Sequence, residues 1–127
     1  MLNNLEVVTL FVEDIAETKA FYAKVFAADV IYEDDVSYVL NFSGLMINLL
    51  QAAEAPELVE PMVVAAAGAG TRFMLTLRVD DADAVCARLR DMGVTLLNGP
   101  VDRPWGRRTA AFADPAGHVF EIAQVLV

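Results

Sequence analysis

The sequence predicts an α+β fold of two βαβββ repeats, a plan that fits several ferredoxin-like folds as well as a cup-shaped mixed β-sheet, and three observations predict it. First, VTLFVEDIAETKAFYAKV and LTLRVDDADAVCARLRDM share a pattern at an offset of 67 residues, the step from Thr9 to Thr76 (76 − 9). Second, SGLMINLLQ and AGHVFEIAQ superpose at an offset of 73, the step from Gly44 to Gly117 (117 − 44). Third, the segment between the copies is rich in proline, glycine and small residues, the composition of a connection. Repeat one therefore covers 5–51, the linker 52–71 and repeat two 72–126, within one domain of 127 residues.

Each copy opens with a strand whose apolar residues alternate and which ends at an aspartate, Asp14 or Asp81. An aspartate there accepts hydrogen bonds from the free N–H groups of a following helix, and Glu17 extends the first cap in the manner of a capping box. The helices then offer matching apolar stripes, Ile15, Thr18, Tyr22 and Val25 in one, Ala82, Val85, Leu89 and Met92 in the other. Gly93 is placed to stop the second helix, with strands expected at Asp29–Glu33 and Val94–Asn98. Each copy closes in a hairpin turning at Gly44 or Gly117, the second helped by Asp114 and Pro115. The six-residue difference between the offsets (73 − 67) is assigned to a longer loop in copy two, Gly99–Gly106, holding Pro100, Pro104 and Trp105. In the linker a short helical turn is expected around Met62–Ala67.

Apolar residues are 57% of the chain and charged residues 21%, yet no run approaches the ~20 apolar residues of a membrane-spanning helix. The start has no basic segment or cleavage pattern of a secretory leader, so the expectation is a cytoplasmic protein that does not engage membranes. A net charge of −9 opposes binding to nucleic acid, keeps an apolar-rich chain soluble and favours cationic ligands. Cys86 has no second cysteine to pair with and falls in a helical stripe, which reads as a buried structural thiol.

The paired units, together with LFVEDIAETKAFYAKVF, WGRRTAAFADPAGHVFEIAQ and the motif Asp114, Pro115, Gly117, Glu121, resemble the glyoxalase, bleomycin-resistance and extradiol-dioxygenase superfamily, also called the vicinal-oxygen-chelate superfamily, over nearly the whole chain. The resemblance decides among the α+β folds for the cup-shaped mixed β-sheet, and it implies a small-molecule cup between the repeats and, in metal-dependent members, four ligands from the first and last strands of each copy. The corresponding positions are Val7, Asn48, Met74 and Glu121. Only Glu121 is an ordinary ligand for Zn, Ni, Fe or Mg, so no metal and no cofactor are expected. His118, the single histidine, follows the turn glycine and reads as a turn or surface residue.

Strand alternation would send Thr9, Phe11, Met46, Leu50, Thr76, Arg78, Val119 and Ala123 to the same side as the four positions. The ligand-binding candidates are Phe11, Met46, Asn48, Met74, Trp105, Arg108 and Glu121, with Trp105 as a lid and Arg108 pairing with Glu121 or Asp114. The favoured function is a metal-free binder of an antibiotic or metabolite, aromatic or cationic, resembling bleomycin-resistance proteins and acting as a homodimer. The alternative is a lyase, isomerase or dioxygenase with a degenerate metal site, using Glu121 as ligand or general base. A third is a structural or regulatory subunit whose cup is filled by its own side chains.

Overall fold

The computed structural model describes residues 2–127 and divides the chain into two compact units, Met1–Ala69 and Gly70–Val127. No helix is long and apolar enough to cross a membrane among the described residues.

Unit one runs β1 (Val7–Val12), α1 (Ile15–Val25), β2 (Asp29–Glu33), β3 (Ser37–Phe42) and β4 (Leu45–Gln51), followed by the short α2 (Pro56–Val59). Its sheet has the order β1-β4-β3-β2, with β1 parallel to β4 and the other pairs antiparallel. Asp14 caps α1 as expected, its Oδ1 accepting the Glu17 N–H at 3.1 Å. The reciprocal half of a capping box is not made among the described residues. Instead Gln51, from the end of β4, places its Oε1 3.1 Å from the Ile15 N–H and satisfies a second free donor of the helix. Of the expected stripe, Thr18 and Tyr22 are buried, whereas Ile15 and Val25 are half-buried. They pack over Leu10, Val12, Leu40, Ile47 and Leu49, the residues that alternation assigns to one side of the sheet. Tyr22, Phe26 and Phe42 close one end of this core, with centroids 5.1 and 5.3 Å apart along the series.

Unit two repeats the plan as β5 (Met74–Arg78), α3 (Ala82–Asp91), β6 (Leu96–Arg103), β7 (Arg107–Ala113) and β8 (Val119–Val125), in the order β5-β8-β7-β6. Asp81 caps α3 through the Ala84 N–H at 3.0 Å, and Gln124 accepts the Ala82 N–H at 2.8 Å. Ala82, Cys86 and Leu89 are buried against the sheet's Phe112, Phe120 and Ile122, with Phe112 and Phe120 stacked 5.6 Å apart. Burial pushes the Cys86 thiol up, away from the reactive thiolate. Gly44 and Gly117 adopt φ +94° and +90° in their hairpins, the conformation that called for glycine.

Two sequence expectations need correction. The loop predicted at Gly99–Gly106 is mostly strand: β6 continues to Arg103, and only residues 104–106 turn. Gly99 and Pro100 do not end β6 because the chain absorbs them in irregularities of its pairing with β7. Gly99 sits there at φ +85°, so close to β7 that a Cβ would meet the Thr109 carbonyl oxygen and lie 2.7 Å from Ala110 Cα. In the linker, helical turns form at Ala52–Glu54, Pro56–Val59 and Ala67–Ala69 rather than around Met62–Ala67. Pro56 opens α2 at a position where its missing N–H costs nothing.

Candidate functional site

Each sheet has one side committed to its helix and a second side that is not. In unit one the second side carries Val7, Thr9 and Phe11 from β1 and Met46, Asn48 and Leu50 from β4. Parallel register puts Val7 beside Met46, Thr9 beside Asn48 and Phe11 beside Leu50. Three of the predicted residues, Phe11, Met46 and Asn48, are therefore brought together. The Asn48 Nδ2 reaches Thr9 Oγ1 at 3.5 Å, the outer limit of a hydrogen bond, and its Oδ1 is buried with no partner among the described residues. A buried, unsatisfied amide oxygen is costly unless something donates to it.

In unit two the second side carries Met74, Thr76 and Arg78 from β5 and Val119, Glu121 and Ala123 from β8, with Thr76 beside Glu121. Thr76 Oγ1 donates to Glu121 Oε1 at 3.1 Å. This pair is the repeat equivalent of Thr9 and Asn48, so each copy places a threonine next to a polar side chain at the same point of its sheet. Across β8, Glu121 faces Ala111, and Ala111 faces Asn98 of β6. One row of the sheet thus reads Thr76, Glu121, Ala111, Asn98. Met74 lies on the same side, one pleat from Thr76 and exposed.

Arg108 is elsewhere. Its antiparallel partner is Gln124, which faces the helix, and directly opposed residues share a side. There the guanidinium donates to Asp102 at 2.7 Å and to Asp83 of α3 at 3.0 Å, not to Glu121 or Asp114. The Arg108 hydrogen bond holds the Asp102 carboxyl below its ordinary range. Asp114 is buried in the β7–β8 turn, accepting the Ala116 and His118 N–H groups and pairing with His118 Nδ1 at 2.8 Å. His118 is a turn residue, as its position after the glycine implied. Trp105 occupies the β6–β7 turn with 68% of its surface exposed.

The sequence reading missed Asn98 and Arg103. Arg103 Nε donates to Thr109 Oγ1 at 3.0 Å and its Nη2 to Asn98 Oδ1 at 3.1 Å, which sets the guanidinium on the Glu121 side of the sheet. The alternation from Thr109 would have revealed it, had β6 been extended past Gly99.

The residues at the four metal-ligand positions of the family form a poor donor set. Val7 supplies no donor atom, Met74 a thioether and Asn48 an amide oxygen, leaving Glu121 as the one carboxylate. No group of three or more His, Cys, Asp or Glu converges among the described residues. The set does not fit a resident divalent ion.

Residues 4–122 match the Glyoxalase/Bleomycin resistance protein/Dioxygenase superfamily, and the chain belongs to it. Within that class it is 30% identical over 123 residues to the uncharacterized protein YraH of Bacillus subtilis (strain 168), covering 94% of this chain and 96% of the relative. A glyoxalase/bleomycin resistance protein/dioxygenase from Nocardioides has the same fold, with a TM-score of 0.87 at 20% identity over 99% of this chain and 85% of that one. TnmS3, an antibiotic binding protein from Streptomyces sp. CB03234, aligns with a TM-score of 0.73 at 27% identity, covering 98% of this chain and 97% of its own.

Proposed function

We propose that the protein binds a small organic molecule without a resident metal and catalyses no reaction on it. The observation that carries the reading is the pair of equivalent positions Asn48 and Glu121. Where metal-dependent relatives place ligands, this chain keeps an amide with an unsatisfied buried oxygen and a carboxylate held by Thr76. Both suit hydrogen bonding to an organic ligand better than holding an ion; within unit one Phe11 and Met46 add apolar and thioether surface beside Asn48, and within unit two Met74 adds a thioether on the Glu121 side. The similarity to TnmS3 supports an antibiotic or comparable metabolite as the ligand. Its polar or cationic end is held by Glu121, and its planar body lies on apolar side chains. The working form is a homodimer in the cytoplasm.

Because Trp105 is the single tryptophan, its emission is a built-in reporter. In a screen of planar antibiotics by fluorescence and calorimetry, at least one compound should bind with a stoichiometry of one per chain. Glu121→Gln or Asn48→Ala should weaken it by about 1–3 kcal/mol, as loss of a buried hydrogen bond to ligand does. A ligand indifferent to both substitutions would overturn the reading. Steady turnover of a bound compound that stops on Glu121→Gln would establish the enzyme alternative instead.

A further inference from the structure

Among the described residues, Arg108 alone of the seven arginines of unit two makes an ion pair, and of the six that make none, two stand opposite each other across one hairpin in a chain with 18 acids against nine Lys and Arg. They are Arg103, the last residue of β6, and Arg107, the first of β7, and they are directly opposed in the antiparallel register. Arg103 bonds to Thr109, and Arg107 stands two residues from Thr109 on the same strand, so both project on the side of the sheet that holds Glu121. Like charges directly opposed across a strand pair repel. Nothing in the unit neutralises them, whereas Arg108, one residue away on the other side, engages two carboxylates.

Arg103 is also held in place. Its two bonds go to neutral acceptors, Thr109 Oγ1 and Asn98 Oδ1, so they fix the guanidinium without discharging it. Further N–H groups of the five on its fork remain for another acceptor. Between the two arginines lies the three-residue turn that presents Trp105, and the turn is tied down by the Leu126 N–H donating to the Gly106 carbonyl at 2.9 Å.

The geometry points to an anion receptor at this hairpin tip: Arg103 and Arg107 receive the carboxylate or phosphoryl group of an aromatic ligand whose ring packs on Trp105. A planar, tethered guanidinium recognises either oxyanion with two parallel hydrogen bonds, and the second arginine supplies charge that the acidic chain as a whole does not. The assignment rests on the small-molecule reading above and sharpens it. Glu121 lies two strands from Asn98 along one row, roughly 10 Å at the usual strand spacing. A ligand engaging both ends is therefore zwitterionic, with its cationic or donor group at Glu121 and its acidic group at the tip.

The test uses the full-length protein labelled with nitrogen-15 and three probes: benzoate, phenyl phosphate and the neutral benzyl alcohol. Both anions should shift the Arg103 Nε–H and Trp105 indole N–H resonances, and their affinity should fall as salt rises. Arg103→Gln should weaken them about tenfold, and Arg103→Lys by less, since it keeps the charge and loses the fork. Arg107→Gln should weaken them as well, with benzyl alcohol unaffected by any of the three. A tighter response to phenyl phosphate assigns a phosphoryl ligand, and a tighter response to benzoate a carboxylate. Anion binding unchanged in Arg103→Gln and Arg107→Gln, both folded by their melting curves, overturns the receptor, as does absence of any anion-induced shift up to the solubility limit. If benzyl alcohol shifts the Thr76 and Glu121 resonances while anions bind no tighter, the receptor fails and the small-molecule reading stands. If the anions bind through Arg103 while no planar compound responds to Glu121→Gln, the converse holds.

Discussion

Gln51 and Gln124 make the same hydrogen bond in the two units, each offering its side-chain oxygen to the N–H of the first helical residue, Ile15 at 3.1 Å and Ala82 at 2.8 Å. The bond joins the last strand of a repeat to the start of its helix. It therefore fixes the helix against the sheet at the end where Asp14 or Asp81 also caps. Gln51 additionally donates to the Glu13 carbonyl.

Replacing Gln51 or Gln124 with Ala should each lower stability by about 1–2 kcal/mol, as loss of a helix-capping acceptor does. The corresponding Glu variants should cost less, because a carboxylate still accepts the helix N–H and suits the positive end of the helix. Chemical denaturation with an unchanged slope would measure it. Equal stability of both Ala variants and the parent would mean that water replaces the glutamine without loss.

These glutamines also show how far the sequence could be read. Their equivalence was visible as a repeat, but their task was not, since it links residues 36 and 42 positions apart. The aspartate caps were legible because capping is local and has its own residue preference. Strand β2 was legible as the counterpart of a strand in the other repeat, whereas β6 was cut short: glycine and proline are strand breakers on average, and only the partner strand shows the irregular pairing around Gly99. The site was legible where it follows alternation along one strand, as for Asn48 and Glu121. It was lost where a side chain folds back across a hairpin, as for Arg103. The pairing expected for Arg108, with Glu121 or Asp114, is replaced by Asp102 and Asp83, because the side of the sheet it takes depends on the register of β7 with β8.

Acid should unfold the β2–β3 turn early. The hydrogen bond from Tyr32, then those from Ser37 and the Val36 N–H, hold the Asp34 carboxyl at about 2, below its ordinary 3.8. A carboxyl depressed in the folded state stabilises it fully above the unfolded value, and this contribution disappears as pH falls from about 4 to about 2. Asp34→Ala should remove that part of the pH dependence and leave stability at neutral pH lower. Urea melts of both proteins across this range would measure it, and parallel pH curves would refute the assignment.

A second copy is expected at the β2 edge. Val30, Ile31 and Tyr32 are consecutive, exposed residues of an edge strand, so neither side of that strand is covered and its free backbone groups face outward. Light scattering should give twice the 13.8 kDa of one chain. Ile31→Lys should shift the equilibrium toward monomer by at least about tenfold in dissociation constant, as loss of one well-buried aliphatic side chain implies. A monomer mass for the parent protein at millimolar concentration would refute it.

Metal should be neither required nor tightly held. With Val7 and Met74 at two of the four family positions, unit one offers a divalent ion one amide oxygen there and unit two one carboxylate, too few hard donors to replace its hydration shell. Elemental analysis of the purified protein should find less than stoichiometric Zn, Ni, Mn or Fe, and a chelator should leave the melting temperature unchanged. Added Zn should raise it no more in the parent than in Glu121→Ala, because linkage converts any specific affinity for the folded state into stability. One tightly bound ion per chain in the parent, released by Glu121→Ala, would instead show that Glu121 serves a metal and would return the enzyme reading to first place.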